Sequence, residues 1–108
     1  MIKAQTITEI LSLYKKHGWI LRRVLLSENL HKGLKDSLGK IFGDVEILSS
    51  GLDGVWFSRV SQNGEAWELR RLSDTPFALV EVLENDIDET SREKVMHEIE
   101  LRMLTPKK

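Results

Sequence analysis

The spacing of apolar residues changes repeatedly along the chain, and each change marks a new element. Ile7, Ile10, Leu11 and Tyr14 recur at i, i+3, i+4 and i+7, which is one face of a helix. Thr6-Ile7-Thr8-Glu9 has the form of a capping box, so the helix is expected to open there. Lys15, Lys16 and His17 fall in its last turn, where the helix dipole favours cations, and Gly18 suits the left-handed position that follows. His17 is therefore read as a dipole partner, not as a catalyst.

From Trp19 to Leu26 apolar residues occupy both alternations. That predicts a strand covered on both faces for part of its length, with Arg22 and Arg23 pointing to opposite sides. The helical period returns after Ser27, a good N-cap. Leu30, Leu34, Leu38 and then Ile41 or Phe42 form the stripe of a second helix, ended by Gly39 or Gly43. His31 stands one residue off that stripe and is expected to be exposed. Asp44 to Ser49 is a short strand toward an edge, and Ser50-Gly51-Leu52-Asp53-Gly54 is a connecting loop.

Residues 55–83 then predict a three-strand antiparallel meander, around which the rest is organised. Asn63-Gly64 between two β-rich runs signals a type I′ hairpin. With those two residues in the turn, Gln62 faces Glu65, Val60 faces Trp67, Arg59 faces Glu68, Phe57 faces Arg70 and Trp56 faces Arg71. A four-residue loop at Ser73-Asp74-Thr75-Pro76 sets Leu72 against Phe77, Leu69 against Val80, Glu68 against Glu81 and Trp67 against Val82. One face then carries Trp56, Val60, Trp67, Leu69, Val80 and Val82, and is expected to be the core face. The other carries Arg59, Glu68, Arg70 and Glu81 beside Phe57, Leu72, Phe77 and Leu79. A slip of one residue would exchange the faces.

After Leu83, Glu84 to Asp88 form a turn and N-cap region. A last helix is expected from about Glu89 to Met103, burying Val95, Met96, Ile99 and Met103, with Glu93 and His97 as an i, i+4 pair. Thr105-Pro106-Lys107-Lys108 is expected to be a frayed tail. The fold class is α+β: a single domain over 1–108, in the order α-β-α-β-β-β-β-α. Its five-stranded sheet is mixed and mainly antiparallel, with helices mostly on one face, that of Trp56 and Trp67. Residues 19–49 would supply a parallel crossover.

Composition narrows the function classes. The chain of 108 residues has no cysteine, which excludes a disulfide framework, a Cys-based zinc site and thiol catalysis. The first twenty residues lack the apolar run of a signal peptide, and no run approaches a membrane span, so a cytoplasmic protein is expected. A net charge of −1 argues against nucleic acid as the partner. The charge is unevenly spread. Residues 1–43 hold eight bases against three acids, and residues 81–100 hold eight acids against two bases. This fits solvated helix faces, with a head-to-tail or domain-swapped contact between copies as the sharper reading.

No sequence motif carries a reaction. Gly33 to Lys40 resembles a phosphate loop only in passing, because its spacing is one residue too long and Ile41 replaces the Ser or Thr. Asp86, Asp88 and Glu89 lack the rest of a calcium loop, and the three histidines fall on three different helices. No catalytic residue, metal or cofactor is expected. The candidates for binding are Arg59, Glu68, Arg70 and Glu81, flanked by Phe57, Phe77 and Leu79. The blandest account of them is a surface salt-bridge ladder. The expected function is a small protein-interaction or adaptor module, self-associating as a homodimer. The alternative is a domain that binds an anionic small molecule, or a minor enzyme, with an arginine as clamp and a glutamate as base.

Overall fold

Trp56 and Phe57 are adjacent in sequence and both fully buried, which strand geometry allows only if the sheet is covered on both faces. The computed structural model describes residues 2–104 and shows this arrangement. Helix α1 (Ala4–Lys16) leads to strand β1 (Ile20–Leu26). Helix α2 (Glu28–Gly33), a 3-10 turn (Lys35–Ser37) and helix α3 (Leu38–Phe42) follow. Strands β2 (Glu46–Ser49), β3 (Gly54–Ser61), β4 (Gly64–Arg71) and β5 (Ala78–Leu83) precede the final helix α4 (Glu89–Leu104). The five strands lie in the order β2-β1-β3-β4-β5. β1 and β2 are parallel and the remaining pairs antiparallel, so the expected class and element order hold.

Two cores result. On one face Val24, Leu26, Val55 and Phe57 pack with Ile7 and Ile10 of α1, Leu30 of α2 and Phe42 of α3. On the other Leu25, Trp56, Trp67, Leu69 and Leu83 pack with Met96, Ile99 and Met103 of α4. Three of the four helices do share a face, but it is the Phe57 face. The Trp56/Trp67 face, where they were expected, is covered by α4 alone. Both cores are dominated by large apolar side chains, each worth about 1.5–3 kcal/mol when fully buried.

Several local expectations are corrected. α1 opens at Ala4 with no side-chain cap, because Ile2 is anchored in the core and the Ile7 amide donates to the Lys3 carbonyl at 3.1 Å. Thr8 lies inside the helix and bonds back to the Ala4 carbonyl. The second helix is broken into α2, the 3-10 turn and α3; Gly33, a poor helix former, stands at the first break, whereas Gly39 lies inside α3, which ends before Gly43. Its N-cap holds, with the Ser27 hydroxyl accepting from the Leu30 amide. In β1 a register shift between Leu21 and Arg23 inserts Arg22 as a bulge. Both arginines therefore reach the α4 side: Arg22 to Ser58 Oγ and over the Trp67 ring, Arg23 to Glu46 and Glu93.

The meander departs from its expected register twice, with different consequences. Ser61 pairs with Gly64, so the turn is Gln62-Asn63 and each β3 residue meets a β4 partner two positions from the one expected. A shift of two preserves the faces. Among the described residues no non-glycine residue has positive φ, so the turn is not type I′. Gly64 is needed for another reason: a Cβ there would lie 2.0 Å from the Leu83 carbonyl oxygen. In β5 the shift is one residue, with Glu68 opposite Val80 and Trp67 opposite Glu81. The cause lies at Leu72, which leaves the meander, donates to the Asp53 carbonyl at 2.9 Å and is buried in the α1 core. That shift exchanges the faces of β5.

Candidate interaction surface

The one-residue shift decides the character of the uncovered sheet. Leu79 and Leu83 turn inward under α4. Ala78, Val80 and Val82 turn to the opposite face, beyond the reach of α1, and no β5 side chain belongs to the core beneath that helix. Val80 and Val82, expected in the core, are 58% and 51% exposed. Val60, also expected there, is 83% exposed at the end of β3.

The seven candidate residues are not brought together. Arg59, Glu68 and Arg70 share the Phe57 face, but Glu81 pairs with Trp67 on the other. Glu68 accepts a hydrogen bond from the Tyr14 hydroxyl of α1. Burial, and then this carboxylate, push the Tyr14 phenol well above its ordinary pKa of 10.0. Arg59 donates to the His17 carbonyl at 2.9 Å and stacks over Trp19, so it closes the end of α1. Arg70 donates to the Arg71 carbonyl. Phe57 is buried and stacks on Tyr14, with ring centroids 4.1 Å apart. Phe77 and Leu79 lie toward α4, in a groove with Met103. Among the described residues no ion pair joins any two of the four charged candidates, so the salt-bridge ladder does not form.

What remains on this face is Glu68 and Arg70 beside the exposed stripe of Ala78, Val80 and Val82. The same three residues own the free edge of the sheet. In an antiparallel strand the N–H and C=O of one residue point to the same side, and successive residues alternate. The Arg71 amide donates to the Phe77 carbonyl at 2.9 Å, which aims Phe77 at β4. Leu79, Glu81 and Leu83 then also face β4, and the backbone groups of Ala78, Val80 and Val82 face outward. β5 carries one charge, Glu81, and neither lysine nor proline within it. Such an edge lacks the usual protection against pairing. The opposite edge, β2, is only four residues long. The importance of the β5 edge was hidden in the sequence, because it depends on a register that Leu72 sets.

Among the described residues no group of His, Cys, Asp and Glu side chains converges to hold a metal ion, and no helix is long and apolar enough to cross a membrane. Comparison with protein-family models, with curated proteins and with solved structures finds no match.

Proposed function

We propose that this domain is a self-associating interaction module whose two copies join antiparallel through β5. The observation that supports this most is the coincidence, in Ala78, Val80 and Val82, of outward backbone groups and exposed apolar side chains. An edge needs the first to bond and the second to bury.

The strand is self-complementary in one register. With Val80 opposite its own counterpart, Ala78 stands opposite Val82 and Leu79 opposite Glu81. All outward amides and carbonyls are then paired. The apolar stripe of one copy continues into that of the other, and no like charges meet. Moving the centre to Glu81 would set two carboxylates opposite each other, which is unfavourable. Twofold pairing of this kind extends one sheet across both copies and keeps both α4 helices on the same side.

The test is solution mass by light scattering across a dilution series. Wild type is expected to be a dimer that dissociates on dilution. Val80→Lys should be a monomer at every concentration with unchanged secondary structure, because it places like charges opposite each other at the centre of the pairing. Val60→Lys, at an exposed valine away from β5, should leave the dimer intact. A Val80→Lys protein that still dimerises, or a wild type that is always monomeric, overturns the proposal.

A further inference from the structure

The α4 side of β5 carries a feature that edge pairing does not use. The 72–76 loop, β5 and the last turns of α4 enclose an open groove of about 790 Å3, within the ordinary range for small-molecule sites. Phe77, Leu79 and Met103 give it an apolar wall, and Arg71 and Arg102 line it from opposite sides, one from β4 and one from α4. Neither arginine has an acid within ion-pair distance among the described residues. Glu98 also lines the groove, one helical turn before Arg102, yet does not pair with it.

We infer that this groove binds an amphiphilic monocarboxylate, a small acid with an apolar body, held by Arg71 and Arg102. A guanidinium presents a planar fork of donors that matches a carboxylate, and two such forks lining one groove favour an anion. The apolar wall requires a body that gains from leaving water. Met103 and Phe77 suit such a body, the first by adapting its shape and the second by offering a flat face. A cation with the same tail meets two guanidinium groups against the single carboxylate of Glu98 and is disfavoured. A short acid without a tail lacks the burial that makes binding measurable.

The experiment is a backbone NMR titration of the full chain with decanoate, kept below its micelle concentration, beside butyrate and decyltrimethylammonium. Decanoate is expected to shift the amides of Arg71, Phe77, Leu79 and Arg102, and the other two probes are expected to leave them in place. Arg71→Gln and Arg102→Gln should each weaken decanoate binding about tenfold or more. Both side chains are exposed, so the variants should fold, which their spectra check. Phe77→Ser tests the apolar wall in the same way. The inference is overturned by equal binding of the cationic amphiphile, by shifts that map elsewhere, or by arginine variants that bind unchanged. It is also overturned if decanoate causes no shift up to about 1 mM, or if the protein binds only vesicles of anionic phospholipid. None of these outcomes bears on association through β5, which the mass of Val80→Lys reads separately.

Discussion

At the scale of single residues, Arg23 is the hub that ties β1 to the edge strand β2 and to the final helix α4. It donates to Glu46 of β2 at 2.7 Å and, through both terminal nitrogens, to Glu93 of α4 at 3.0 and 2.9 Å. The hydrogen bonds from Arg23 hold the Glu93 carboxyl below its ordinary pKa of 4.5, and Glu93 in turn pushes the Arg23 guanidinium up. A carboxylate lowered in the folded state contributes stability above its unfolded pKa and loses it as pH falls through the folded value. Wild type should therefore lose stability below about pH 4.5, and Glu93→Gln should lose less over the same range; urea melts at pH 7 and pH 3.5 compare them. Glu93 is partly exposed, so at neutral pH the substitution should cost no more than about 1 kcal/mol. Tyr14 offers a cleaner reading, because it is the only tyrosine in the chain. Its phenolate absorbance should stay absent at pH 10 in the folded protein and appear there on unfolding in urea, since burial and Glu68 both favour the protonated form. These partnerships were not legible in the sequence. Glu93 was matched to His97 by local spacing, and a partner seventy positions away gave it better geometry.

At the scale of elements, what could be read was whatever local spacing decides. The stripe of α1, the Ser27 cap, the Met96-Ile99-Met103 face of α4 and the strand–helix–strand crossover all follow from residues within a few turns of each other. What could not be read was register, because Leu72 had two possible partners and the distant one, the Asp53 carbonyl, won. The hairpin shows the same limit: Asn63-Gly64 marked the turn, but the chain turns at Gln62-Asn63 and uses Gly64 to let β5 approach. Asn63→Ala should thus change stability by no more than about 0.5 kcal/mol, whereas Gly64→Ala should cost about 2 kcal/mol or more, as read by denaturant melts. The β5 register has its own paired test. Leu83→Ala, in the α4 core, should cost about 2–4 kcal/mol, and Val82→Ala, on the open face, less than about 1 kcal/mol when measured on dilute protein. The register expected from sequence alone would reverse that order.

At the scale of the molecule, a sheet with one short edge and one open edge has one direction in which to grow. Basic residues 1–43 and acidic residues 81–100 had suggested a second way to associate, head to tail. The two differ in their response to salt. Pairing through β5 rests on backbone bonds and valines, so the dimer mass should be the same at about 0.05 and 0.5 M salt; a head-to-tail contact would weaken as the Debye length shrinks. The candidate surface was half visible from sequence: Glu68 and Arg70 were placed on an open face, but the valines beside them were assigned to the core. The most direct measurement of the central claim is amide hydrogen exchange at Ala78, Val80 and Val82 as a function of protein concentration. Their N–H groups face solvent in a single copy, so protection that rises with concentration and vanishes in Val80→Lys is the predicted result. Fast exchange of all three amides in a sample whose mass is that of a dimer would contradict it.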